Sequence, residues 1–204
     1  MEPSIFLIPV KELLAHEEAR HSRVLRVARS IKRLGRVMRP IIVEERSLTI
    51  IDGHHRYNAL RLLGARYAPV VMARYGAEIA GIKPPIRVIR VRAASPLDAL
   101  STVEKHIQAV APRGPGRLVL RVGRDTIVLR RDLEQLHRAI GLLEKKTLGK
   151  HGKVHRVIAL PDPLEPRLVL RAAERGEPYP EKTSIHVTEL KKLVAPRRLQ
   201  KLLG

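Results

Sequence analysis

Asp52-Gly53-His54-His55-Arg56 sets a carboxylate, a glycine, two imidazoles and a guanidinium in succession, between the apolar run Ile50-Ile51 and a helical pattern ending at Gly64. A strand, a glycine turn and a helix start make an anion site, because the first backbone N–H groups of a helix point outward with the positive end of its dipole behind them. Gly53 lets the backbone approach a phosphate closely, and Arg56 offers a bidentate contact that a lysine could not give. Two other readings stay open for the same residues. Asp52 could simply cap the helix while the histidines lie on a solvated turn, or the His pair could hold a metal. Sequence neighbours seldom point at one ion, since helical ligands are spaced by three or four, which counts against the metal.

Two further groups could do chemistry. His16-Glu17-Glu18 precedes a helix, and a carboxylate there is either a general base or favourable charge near a helix N-terminus. Lys182-Thr183-Ser184-Ile185-His186 is dense in donors and hydroxyls and lacks periodicity, which suits a polar loop that closes on a ligand as well as it suits a surface turn.

The elements that position these groups are legible from spacing. An edge strand is expected over Ser4–Val10, then a helix from Arg20 to Leu34 with Val24, Val27, Ala28, Ile31 and Leu34 inward and Gly35 as its stop. Ile41–Val43 and Leu48–Ile51 read as strands around a tight connection, and Pro69–Met72 and Ile86–Val91 as two more. A boundary is expected at Ala93–Ser95, giving domains 1–92 and 93–204. In the second, Ser95-Pro96 opens a helix with Leu97, Leu100, Val103, Ile107 and Val110 on one stripe. A hairpin about Gly123, a helix over Leu133–Leu143, a strand at Val154–Leu160, a helix ending at Gly176, an irregular stretch 177–187 and a basic C-terminal helix interrupted at Pro196 complete the reading.

Composition bounds the function. The 204 residues carry 40 Lys and Arg against 20 Asp and Glu, a net charge of +20, and no cysteine. Disulfides, thiolate zinc sites and cysteine nucleophiles are therefore excluded. No apolar run approaches the roughly 20 residues of a membrane span, and the N-terminus lacks a signal-peptide pattern, so a cytoplasmic protein with no membrane partner is expected. The charge attracts polyanions without choosing among them, while the absence of Trp and an aromatic content of 2% leave few stacking platforms for single strands. Abundant Arg with no Cys also suits a heat-adapted chain.

Ile8-Pro9-Val10, the triplet at 16–18, Arg39-Pro40-Ile41-Ile42-Val43 and above all IIDGHHRYNALRLLGARYAP at 50–69 resemble the ParB/sulfiredoxin-type fold, and more narrowly its free L-serine kinase branch. Arg175-Gly176-Glu177 and Lys182–Val187 are similar to the closing segment of those kinases. The resemblance implies an α/β (α+β) protein: a ParB/sulfiredoxin-like N-terminal unit, a smaller α+β unit, and a C-terminal segment folding back on a cleft. It implies phosphoryl transfer from ADP or ATP, with Mg2+, to the hydroxyl of free L-serine, giving O-phospho-L-serine for cysteine biosynthesis. By position, Glu17 matches the catalytic base, and Asp52 and His54 the other catalytic groups, Asp52 also touching substrate. Gly53, His54, His55 and Arg56 would hold nucleotide phosphates, and Ser30, Lys182, Thr183, Ser184 and His186 would bind substrate. Metal ligands are not implied by any motif, and a monomer or small homo-oligomer is expected. Met38 stands where these kinases tend to have an aromatic. The alternative is a ParB-like DNA-binding regulator or segregation protein, supported by the charge; such chains carry a helix-turn-helix after the core, whereas this one reads as helix, hairpin, helix and strand. An HH-type nuclease is a third reading, and the sulfiredoxin reaction, which needs a cysteine, is excluded.

Overall fold

The computed structural model describes residues 3–204. In chain order the elements are β1 (Phe6–Pro9), α1 (His21–Leu34), β2 (Arg36–Val37), β3 (Ile41–Glu44), β4 (Ile50–Asp52), α2 (His54–Leu62) and β5 (Tyr67–Ala73). Then come β6 (Gly81–Lys83), β7 (Arg87–Ala93), α3 (Pro96–Val110), β8 (Gly116–Val122), β9 (Asp125–Arg131) and α4 (Leu133–Leu143). The chain ends with β10 (Thr147–Leu148), β11 (Lys153–Pro161), α5 (Pro166–Glu174), β12 (Ile185–Val187), β13 (Arg197–Arg198) and α6 (Gln200–Leu203). These elements form two compact units, one of residues 1–81, 166–181 and 186–204, the other of residues 82–165 and 182–185.

The first unit is built on a four-stranded sheet in the order β1-β5-β3-β4, with β3 and β5 parallel and the other pairs antiparallel. All of β3 is buried, because both faces of the sheet are covered. Ile41 and Val43 join a core with Val24, Ala28 and Ile31 of α1, while Ile42 packs on the other side with Ile51, Val71, Ala73 and Ile79. α1 ends as its sequence dictates, at Gly35 in the left-handed conformation (φ 64°). Of its expected inward residues, Leu34 is exposed. β4 starts at Ile50 rather than Leu48, because the turn before it closes with Leu48 at φ 55°. The Glu44 carboxylate organises that turn, accepting from the Arg46 and Ser47 N–H groups at 3.1 and 2.8 Å.

The C-terminal helix expected around Pro196 is instead three short pieces. Glu189–Lys192 forms a single 3-10 turn capped by Thr188, Arg197 and Arg198 pair antiparallel with β2, and α6 buries Leu202 completely in the α1/α2 core. Proline 196 prevents a continuous helix, and the edge of β2 offers partners to the backbone beyond it. The irregular stretch also contains β12, whose three residues are too few to show a period.

The second unit carries a five-stranded sheet, β10-β7-β11-β8-β9, parallel only between β10 and β7. β7, read from sequence as the end of the first domain, is an interior strand of this sheet. α3 starts at the Ser95 cap, whose hydroxyl accepts from the Asp98 N–H, and buries Ala99, Leu100, Val103 and Ile107, while Leu97 and Val110 are exposed, so the apolar stripe is shorter than expected. α3 and α4 share one core with the inward residues of the sheet, among them Ile89, Val91, Leu118, Leu120, Leu129, Val157 and Ala159. The alternate positions of these strands face away from that core.

Candidate active site

The candidate site lies in the first unit, where β4 runs into α2. Gly53 is the N-cap of α2, left-handed at φ 108°, and no side chain caps the helix. Asp52 therefore does not cap; it takes an ion pair from Arg56 one turn later, with Nη2 to Oδ2 at 2.6 Å. The first intrahelical bond runs from the Tyr57 N–H to the Gly53 carbonyl, so the N–H groups of His54, His55 and Arg56 precede the helical ladder. A Cβ on Gly53 would stand 2.9 Å from Nη2 of Arg56, so the glycine leaves room for the guanidinium to lie over the turn.

The histidines are not on a solvated turn. His54 is buried, its Nε2 has no hydrogen-bond partner, and its ring meets that of His16 edge-on at 4.6 Å between centroids. His16 in turn meets His186 at 5.4 Å, and the His186 Nε2 lies 2.8 Å from the Tyr75 hydroxyl. Burial first, and then the neighbouring His16 ring, pushes the pKa of His54 well below its ordinary value and that of His186 down to about 3, with Lys191 adding to the shift of His186 and Glu17 opposing both. Both rings are thus neutral at pH 7. Burial also raises the Tyr75 hydroxyl, which stays protonated.

Glu17 borders this cluster, its side chain 10% exposed and Oε1 3.7 Å from Nε2 of His16. Its loop is fixed by strand-like pairing with Tyr179: the Glu18 N–H donates to the Tyr179 carbonyl and the Tyr179 N–H to the His16 carbonyl, each at 2.8 Å. The structure so brings together Glu17, Asp52, Gly53, His54, His55, Arg56 and His186 from three distant segments.

Sequence reasoning missed Glu181. Its carboxylate pairs with Nε of Arg20 at 3.1 Å and Nη1 of Arg23 at 3.2 Å, and stands 3.3 Å from Nε2 of His55 without a hydrogen bond, so that the starts of α1 and α2 meet at it. The pKa of His55 is lowered, chiefly by burial, with Glu181 opposing and Arg23 and Arg20 adding to the shift. The available signal was an acid beside the donor-rich run at 182–186 in a chain with a twofold basic excess. Ser30 is half-buried on α1, two turns beyond Arg23 on the same side of the helix, and makes none of the contacts above. Lys182, Thr183 and Ser184 group with the second unit, where buried Thr183 lies 3.4 Å from Nη2 of Arg87, itself paired with Glu144 at 2.6 Å. Lys182 adopts φ 62°, a conformation that residues other than glycine rarely take. Among the described residues no group of three or more His, Cys, Asp or Glu could hold a metal ion, and no helix is long and apolar enough to cross a membrane.

The chain is thus a mixed α/β protein in which the uncapped start of α2 stands beside a glutamate and buried, neutral histidines. No family model matches the chain. A ParB-like protein of Sulfolobus acidocaldarius is 37% identical over 79 residues, which span 39% of this chain and 39% of the relative's length. Among solved structures, a free serine kinase in complex with AMP superposes at a TM-score of 0.72 with 19% identity, covering 99% of this chain and 95% of the other. A free serine kinase mutant in complex with ADP gives 0.71 with 16% identity over 97% and 93%. The chain has the fold of the free serine kinase structures.

Proposed function

We propose that the protein is a kinase that transfers a phosphoryl group from ADP or ATP to the hydroxyl of free L-serine. The observation that carries this reading is the open N-terminus of α2 beside Glu17, in a fold shared along nearly the whole chain with serine kinases bound to AMP and ADP. The N–H groups of His54, His55 and Arg56 and the Arg56 guanidinium suit the nucleotide phosphates, which supply charge to match both dipole and cation. Glu17 accepts the proton as the serine oxygen attacks the terminal phosphorus; a new P–O bond forms, the bond to the bridging oxygen breaks, and AMP or ADP leaves. His54, neutral and buried, presents an unsatisfied ring nitrogen near the same turn and orients a reacting group without adding charge. Ser30, Lys182, Thr183, Ser184 and His186 are the substrate-side residues of this reading. A magnesium ion would come with the nucleotide phosphates and neutralise charge during transfer. The phosphoserine is a precursor for cysteine biosynthesis in the cytoplasm.

A ParB-type DNA reader is the second reading, carried by the local identity to the ParB-like protein. The helix-turn-helix expected after such a core is replaced here by a five-stranded sheet with two helices on one face.

The test is purified protein with L-serine, Mg2+ and either ADP or ATP at ambient and raised temperature, following O-phosphoserine and the nucleotide product. Wild type forms phosphoserine, and Glu17→Gln lowers its rate by about 10²-fold or more. Absence of product with both donors overturns the kinase.

A further inference from the structure

The outward face of the second unit's sheet is an arginine field. Alternation places Arg90 and Arg92 of β7, Arg117 and Arg121 of β8, Arg130 of β9 and Arg156 of β11 there, all exposed, while their sequence neighbours enter the core. The other strand positions of this face are Val, Ile, Leu and Thr, with no acid among them. Register makes the arrangement more pointed: Arg156 lies directly across from Arg90, and Arg117 directly across from Arg130. Like charges opposite one another destabilise a sheet, and an intervening glutamate would relieve them. None of the six forms an ion pair among the described residues; Arg130 donates to the Pro115 carbonyl at 3.1 Å. Elsewhere the protein does pair its arginines, as at Glu181, Asp52 and Glu144.

We propose that this sheet face binds double-stranded DNA through its phosphate backbone. A polyanion is the occupant that turns six unneutralised, mutually repelling guanidinium groups into a favourable arrangement, by releasing the counterions condensed on its phosphates. Single strands are poorly served, since the face carries no aromatic side chain on which bases could stack. Between duplexes, RNA is read largely through its 2′-hydroxyls, for which this face offers only Thr126 and Thr147 beside its arginines, whereas phosphate contacts alone suffice for DNA. β8 and β9 form the last hairpin of the sheet, seven paired residues long and closed by the Gly123 turn at φ 59°, with β9 as the edge strand and β8 paired on its other side to β11. Arg117, Arg121 and Arg130 lie on its outward side.

The experiment is a titration of labelled 20-base-pair DNA with the full-length protein over a series of KCl concentrations. With six phosphate contacts, log affinity falls against log salt with a slope of about −5. The variant Arg90→Thr/Arg117→Thr/Arg121→Thr/Arg130→Thr weakens binding at least tenfold at 100 mM KCl and flattens the slope by about 3 to 4. A control with the same charge change on exposed residues of α1, Arg26→Gln/Arg29→Gln/Lys32→Gln/Arg33→Gln, changes binding less than threefold. Should the fourfold face variant fail to fold, Arg156→Glu serves alone: it sets an acid opposite Arg90, raises the thermal midpoint and weakens DNA binding. The proposal is overturned by no duplex binding at 100 mM KCl, by equal losses in the face and α1 variants, or by tighter binding of a single strand or an RNA duplex.

Discussion

His186 shows how one side chain ties stability to pH. Its imidazole is almost wholly buried between His16 and Tyr75, and its pKa is pushed down to about 3. The native state therefore holds the ring neutral, while the unfolded chain takes up a proton near pH 6.5, so the stabilisation is complete above that pH and is lost as pH falls toward 3. The slope for one such group is about 1.4 kcal/mol per pH unit, and His54 acts in the same direction. Urea unfolding at pH 5.0 is expected to show about 2 kcal/mol less stability than at pH 7.5 from His186 alone, and His186→Gln to flatten the difference. A wild-type stability unchanged over this interval would contradict the assignment. Asp52 to Arg56 could be singled out in the sequence because a strand, a glycine and a helix start are local events. The meeting of His16, His54 and His186, and the role of Glu181, arise from contacts between distant segments, which no local spacing encodes.

At the scale of elements, the junction of β4 and α2 depends on one conformation. Gly53 at φ 108° costs little as glycine, whereas alanine there is strained by roughly 1–3 kcal/mol and its Cβ presses on the Arg56 guanidinium. Gly53→Ala is expected to lower the unfolding free energy by that amount and to displace the Arg56 guanidinium from the turn; on the kinase reading this weakens ADP binding, which calorimetric titration measures. Elements with strong periods or caps, namely α1, α2, α3, α4 and the β8–β9 hairpin, were legible to within a few residues. Those fixed by tertiary pairing were not: β2, β6, β10, β12 and β13 are two or three residues long, and their backbones pair because a partner edge is present. Pro196 marked the break in the C-terminal segment correctly, yet only the waiting edge of β2 explains what replaced the helix.

For the whole molecule, the first unit is closed by its last residues. Leu202 is fully buried in the core that also holds Val24, Ile31 and Leu60, so Leu202→Ala is expected to cost about 2–5 kcal/mol in chemical denaturation. The same unit takes residues 166–181 and 186–204 from beyond the entire second unit. That discontinuity bears on synthesis. At roughly 5–20 residues per second, His16 and His54 leave the ribosome on the order of ten seconds before His186 exists. During that interval the nascent first unit has an open edge at β2 and an unfilled slot for Leu202, an unpaired edge and apolar surface of the kind that makes folding intermediates prone to aggregate. Long-range closure of this kind is slow, so the cluster of His16, His54 and His186 is completed only after the second unit has been made.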